Sequence, residues 1–298
     1  MNRKTIINKK EKSIALFTCY IGKLPWYFNY FGHSCGYNPS IDFYIISDDH
    51  DYQPALPKNV KLVYKTLEDI NLLVGAKLGL NVNIANGYKL CDFKPAYGII
   101  FSDLLKGYDF WGHCDIDIIF GCIREFITDG LLENYDLISV RHDYISGCFL
   151  LYRNISKLNT LFLQSKDYKK VFTDTRHYCF DETNFAHETF GEGKKYFEID
   201  TEIESMMHVV KRLEAANYIN PFFDFMIIEG LPGRLKWENG KMFYKNRFEV
   251  LFYHLIYFKN RFSPKKQIRN IPDSFLISAN KIYHKQNKKI VQHALPLL

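Results

Sequence analysis

The chain has 298 residues, room for one large domain or one domain with an appendage. Apolar residues make up 47%, with 25 Phe and 21 Tyr among them, so a core forms without help from disulfides or structural metals. The formal charge of +6 gathers at the two ends and carries no aromatic-interleaved basic motif, so no nucleic-acid partner is expected.

Seven cysteines (19, 35, 91, 114, 122, 148 and 179) are an odd number, without C-x-x-C or zinc-finger spacing. They read as reduced thiols of a cytoplasmic protein. No run of about 18 apolar residues predicts a membrane span. "SIALFTCYIG" is short and has no A-x-A cleavage site, so it reads as a first strand rather than a signal peptide.

In chain order, Ser13–Tyr20 is a continuous apolar, β-rich run typical of a buried parallel strand. "LPWYFNYFGHSCGYNP" predicts a helix stopped by Gly and Pro. Ile41–Asp49 and "NVKLVYKTL" predict the second and third strands. Strand, helix and strand at this spacing indicate an α/β fold with a mostly parallel sheet. Residues 66–90 read as irregular helix. In "CDFKPAYGIIFSDLLKGY" Pro95 suits a first helical turn and Gly107 a stop. A strand is predicted over Phe110–Asp117, and two more over Tyr135–His142 and Gly147–Asn154. Residues 155–215 read as mostly helical. "GRLKWENGKMFY" is a hairpin turned at Asn239-Gly240. "RFEVLFYHLIYFK" is a last strand or short helix, and a basic extension follows over 261–298.

Chemistry concentrates in "GYDFWGHCDIDIIFG". On a strand, Asp115 and Asp117 share a face. Two carboxylates so close repel unless a cation or proton lies between them, and a hard divalent ion fits that need. The plain alternative is a solvated turn. His254 could add an imidazole to such an ion, and Lys259 a point charge to a phosphate. Asp92 and Lys94 stand at a helix start, placed either to cap it or to meet a nucleotide or sugar. Asp181 and Glu182 are candidates for a general base. Asp48 follows the second strand, where open α/β sheets bind ligands. Gly147 would let a substrate approach the backbone.

The succession "IALFTCYIG", "FYIISDD", "CDFKPAYGIIFSDLLKGYDFWGHCDIDIIFG", "GCFLLYRN", the Asn-Gly hairpin and "YHLIYFK" resembles a GT-A glycosyltransferase over about residues 13–260. It is similar to a bacterial group found with capsule and lipopolysaccharide genes. The resemblance implies a GT-A-like domain over 1–260. It also implies transfer of a sugar from a nucleotide-sugar donor to a glycan or lipid-linked acceptor, with Mn²⁺ or Mg²⁺ on the diphosphate. By the same resemblance Asp115, Asp117 and His254 would hold the metal and Lys259 a phosphate. Thr18 and Tyr20 would face the base. Asp92 would meet the sugar, with Lys94 standing in for an Arg whose place Pro95 takes. For an inverting reaction Asp181 is the first candidate base and Glu182 the second. The basic extension suggests peripheral contact with the inner membrane.

Three competing readings share parts of this pattern. A phosphohydrolase of the haloacid-dehalogenase type also uses D-x-D, a sugar nucleotidyltransferase shares the sheet, and a non-catalytic binding module would show no metal-dependent turnover and no loss in Asp117→Ala.

Overall fold

The computed structural model describes residues 11–52, 55–266 and 268–284. Its largest sheet contains β1 (Ile14–Tyr20), β2 (Ile41–Ser47), β3 (Val60–Tyr64) and β4 (Phe110–Cys114). After β5 (Ile118–Phe120), which leaves this sheet, come β6 (Leu137–Ser139), β7 (Phe149–Arg153) and β8 (Pro221–Phe223). The order is β3-β2-β1-β4-β7-β6-β8. The pairs β1–β2, β1–β4, β2–β3 and β6–β8 are parallel, while β7 runs antiparallel to β4 and β6. The mostly parallel α/β sheet predicted from the sequence therefore forms.

The apolar runs form strands buried on both faces, in parallel β1 and in antiparallel β7 alike. Along β1, Ile14 and Leu16 enter one core while Ala15 and Phe17 enter the other. Along β7, Phe149 and Leu151 part from Leu150 and Tyr152 in the same way. The second core is closed by helices, among them Leu67–Leu78 and Met206–Ala215. The Leu67–Leu78 helix begins at a reciprocal Thr66–Asp69 capping box and stops at Gly79 in the left-handed conformation.

The first core is closed by the helix Phe28–Gly36 and by two small C-terminal sheets. One of these joins β5 to β9 (Ile227–Ile228) and β13 (Phe252–His254). The other contains β10 (Leu235–Glu238), β11 (Lys241–Tyr244), β12 (Phe248–Val250), β14 (Ser274–Ile277) and β15 (Ile282–His284). Asn239 and Gly240 both have positive φ, +48° and +83°, as a tight hairpin between β10 and β11 requires.

Several local expectations are corrected. The strand expected over Phe110–Asp117 ends at Cys114, because the chain must leave β4 and swing across to pair β5 with β13. Pro95 does not open an α-helix. It lies within a 3-10 helix, Gly87–Ala96, and disfavours the α conformation at Lys94, so the α-helix waits until Tyr97. Residues 155–215 form several short helices rather than long ones, the longest being Met206–Ala215. The segment 247–259 forms two short strands and then enters a helix, Phe258–Arg261. The extension drawn from residue 261 shares a sheet with the body, since β14 pairs with β10. Its last part, residues 285–298, lies outside the described residues, as do residues 1–10.

Candidate functional site

The sheet order puts a switch point between β1 and β4: the chain leaves β1 toward β2 on one side and later returns to β4 on the other. Open α/β sheets bind ligands in the crevice outside the carboxyl ends of such strands. Thr18 and Tyr20 close β1 there, and Asp115 follows β4 directly.

The Asp115 amide still donates to the carbonyl of Cys148, the residue before β7, 2.9 Å away, and the Leu255 amide donates to the Asp117 carbonyl at 2.8 Å. Asp115-Ile116-Asp117 is thus a hinge between two sheets, held at both ends. Ile116 and Ile118 pack in the core, and both carboxylates converge on the crevice. The convergence expected of a strand is retained although the backbone there is a turn.

Each acid meets cations. Lys259 Nζ lies 2.8 Å from Asp117 Oδ2, and His254 Nε2 lies 3.5 Å from Asp117 Oδ1 and 4.0 Å from Asp115 Oδ2. Lys94 Nζ donates to Asp115 Oδ1 at 2.7 Å and to the Gly147 carbonyl at 2.8 Å, and stands 3.4 Å from Asp181 Oδ2. Burial pushes the Asp117 carboxyl up, but His254 and Lys259 outweigh it and hold it well below the usual carboxylate range. Burial likewise opposes charge on Lys94, yet Asp115, Cys91 and Asp181 raise it well above an ordinary lysine.

Asp115, Asp117 and His254 offer ligand atoms all within 4.8 Å of one another. Two carboxylates and an imidazole suit a divalent ion such as Mn²⁺ or Mg²⁺. The far nitrogen of His254, Nδ1, lies 2.8 Å from Glu229 Oε1. A carboxylate behind the imidazole, leaving Nε2 for the metal side, is the usual support of a ligating histidine. Glu229 is itself held by Arg141, whose Nη1 lies 2.6 Å from Oε2, and Arg141 makes a bidentate pair with Asp143. The donor set fits the ion.

Two cavities meet at these acids. One, of about 380 Å³, is lined by Thr18, Tyr20, Tyr27 and Tyr97. The other, of about 680 Å³, is lined by Arg141, Tyr144, Asp181, Glu182 and His187. Tyr88, Lys94, Asp115, Asp117 and Lys259 line both. A third cavity, of about 720 Å³, touches none of them; two of its acids, Glu125 and Glu249, face Lys241 instead.

Asp181 and Glu182 face the larger cavity from a buried loop. Burial raises the Asp181 carboxyl to about 7, against the pull of Lys94 and with the push of Glu182. Glu182 goes the other way, to about 2, because His187, Lys94 and the Gly147 amide outweigh its burial. Gly147 is required here for a reason other than the one expected. A Cβ on it would stand 2.6 Å from Asp181 Oδ2 and from Glu182 Cγ, so its space belongs to these side chains, not to a substrate.

Two predicted binding residues stand outside the cavities. Asp48 accepts the Gly22 amide at 2.7 Å and shapes the loop after β1. Asp92 is fully buried and accepts from Lys89 Nζ and from the Tyr178 and Phe180 amides. It anchors the loop that carries Asp181 and Glu182. Glu229, Arg141 and His187 were not found from the sequence. Register supplies the signal for Glu229: β9 pairs with β13 as Ile227↔Phe252 and Ile228↔Tyr253, which brings the next residue level with His254.

A family profile matches residues 16–286. The chain belongs to that family, a family of unknown function (DUF6625). No curated protein matches this DUF6625 chain. Solved structures similar to it include the galactosyltransferase LgtC in complex with donor and acceptor sugar analogues, at 12% identity and TM-score 0.32, over 55% of this chain and 66% of that one. An active-site mutant of LgtC gives 13% identity and TM-score 0.33 over the same shares. The apo-form glycosyltransferase GlyE of Streptococcus pneumoniae TIGR4 gives 11% identity and TM-score 0.32, over 72% of this chain and 45% of that one. The match thus takes in under two thirds of each neighbour's own length.

Proposed function

We propose that this protein is a metal-dependent glycosyltransferase that moves a sugar from a nucleotide-sugar donor to a glycan or lipid-linked acceptor, in the synthesis of a surface polysaccharide. The observation that carries the reading is the pair of cavities meeting at Asp115 and Asp117. A donor of this class has an aromatic base, a diphosphate and a sugar in a row. The smaller, tyrosine-lined cavity suits the base, the acid pair with its cations the diphosphate, and the larger polar cavity the sugar and acceptor.

Asp115, Asp117 and His254 would hold Mn²⁺ or Mg²⁺. When bound, the ion neutralises charge that develops on the diphosphate leaving group. Lys259 would release Asp117 to contact a phosphate oxygen. Lys94 spans Asp115 and Asp181 and so fixes the acceptor side relative to the donor side. Asp181 is the better placed base, since both Glu182 oxygens are already engaged, by the Gly147 amide and by His187.

A panel of nucleotide sugars, with Mn²⁺, with Mg²⁺ or with chelator, tests this by thermal shift and donor hydrolysis. At least one donor should raise Tm only when metal is present. Asp117→Asn should lower turnover of that donor by about 10²–10³-fold. If no donor stabilises the fold under any metal condition and none is hydrolysed, the proposal fails. Release of phosphate from simple phosphomonoesters at comparable rates would favour the phosphohydrolase instead.

A further inference from the structure

On the acceptor side of the larger cavity, three different donors close on one point. Cys179 Sγ lies 3.4 Å from Glu182 Oε2 and 3.7 Å from His187 Nε2, and that nitrogen lies 2.8 Å from the same Glu182 oxygen. In a catalytic relay a histidine uses its two nitrogens for two partners. Here a single nitrogen faces both the thiol and the carboxylate. Three donor atoms converging on one point is the arrangement of metal ligands. At about 2.0–2.3 Å from a tetrahedral centre, thiolate, imidazole and carboxylate would stand about 3.3–3.6 Å apart. The two sulfur distances already lie near that range, and the 2.8 Å nitrogen–oxygen contact would open as the ion enters.

We propose that Cys179, Glu182 and His187 form a second metal site, for a thiophilic divalent ion of the Zn²⁺ class, separate from the oxygen-rich Asp115/Asp117 site. The remainder of the local structure is built for it. Cys179 is buried and adopts a positive φ of 51°, unusual for a residue with a side chain. That strain is held in place from both sides, because the amides of Tyr178 and Phe180 are fixed by buried Asp92. Glu182 offers one oxygen to the cluster while the Gly147 amide, at 2.6 Å, fixes the other. Tyr144 packs edge-on against the His187 ring at 5.1 Å between centroids. Such supporting contacts orient ligands before an ion arrives.

All three residues line the larger cavity, so the fourth position of a tetrahedral ion opens onto it. Three protein ligands and one open position characterise zinc sites that receive a water or a substrate oxygen. The ligand preferences of the two sites keep the ions apart: hard Mn²⁺ or Mg²⁺ on the carboxylates, Zn²⁺ on the thiolate and imidazole. This inference is independent of the sugar-transfer reading, and its test uses no donor.

Co²⁺ is the probe. Titrated into the full, reduced chain with Mg²⁺ in excess, it should produce the near-ultraviolet charge-transfer band of a cobalt thiolate. The band should vanish in Cys179→Ser and remain in Cys148→Ser and in Asp117→Asn. Metal analysis after equilibration with Zn²⁺ should find an ion whose affinity falls at least about tenfold in His187→Gln. Circular dichroism of each variant confirms folding. No thiolate band in the wild-type chain, a band that persists in Cys179→Ser, or one removed by Cys148→Ser would overturn the proposal. The last outcome would move the ion to the neighbouring Cys148, Glu229 and His254 group, whose ligand atoms also lie within 4.8 Å of one another.

Discussion

At the residue scale, the charges of the site fall into two kinds. Asp115 and Asp117 lie where the two cavities meet, paired with Lys94, His254 and Lys259, which line the same space. Asp92 and Lys89 are both wholly buried, 2.8 Å apart, and no ligand reaches them. Breaking such a pair leaves an uncompensated charge in the core, so Asp92→Asn should cost about 3–5 kcal/mol in chemical denaturation. The pH dependence follows from the direction of the shift. Burial pushes the Asp92 carboxyl up, but His177 and Lys89 bring it below 3.8. The unfolded chain therefore binds its proton first as pH falls. The contribution is fully present above about 3.8 and is lost as pH drops through the lower, folded value. Denaturation curves of wild type and Asp92→Asn should differ fully at pH 7 and draw together under acid. A difference that stays constant with pH would show that shape, not charge, sets the cost.

At the element scale, the hairpin β10–β11 shows how a local signal acquires a tertiary role. Asn239-Gly240 makes a tight turn wherever two alternating strands flank it. In the fold that turn also lies against Tyr37, the residue that follows the helix Phe28–Gly36, and a Cβ on Gly240 would stand 2.8 Å from Tyr37 Cβ. Gly240→Ala therefore meets a strained φ and a crowded neighbour together. It should lower stability by about 1–2 kcal/mol from the backbone alone, with the Tyr37 contact added to that. Urea denaturation measures it, and an unchanged midpoint would mean that the turn relaxes without loss. The same lesson applies to β4 and β5. Their apolar residues are legible as strand, but the break at Cys114 is not, because it is imposed by pairing with β13, some 130 residues further on.

At the scale of the whole molecule, the C-terminal sheets are part of the site's foundation. Trp237 of β10 is buried, donates its indole N–H to the Phe120 carbonyl at 2.8 Å, and stacks on Phe275 of β14 at 5.1 Å. Phe120 ends β5, which begins one residue after Asp117. A chain ended at residue 260 loses β14 and β15 and leaves β10 as an open edge. It should show red-shifted Trp emission, dye binding to exposed apolar surface and a lower Tm. Native-like emission and an unchanged Tm would instead establish residues 1–260 as an independent unit.

The sequence by itself determined the parallel strands, the hairpin and the acid pair. Each is written in a short window, as a continuous apolar run, an Asn-Gly turn, or two carboxylates set two residues apart. It also identified candidates: His254 within an aromatic run with Lys259 five residues on, Lys94 at a helix start, and the neighbouring acids Asp181 and Glu182. Only the tertiary structure decided which of these meet. It brought His254 to Asp117 through the pairing of β13 with β5, and Glu229 to His254 through the pairing with β9. It turned Asp48 and Asp92 away from the cavities into loop supports, and it closed Cys179, Glu182 and His187 on one point. Strand and turn signals are local because backbone geometry is local; the meeting of side chains depends on sheet register, which no short window contains.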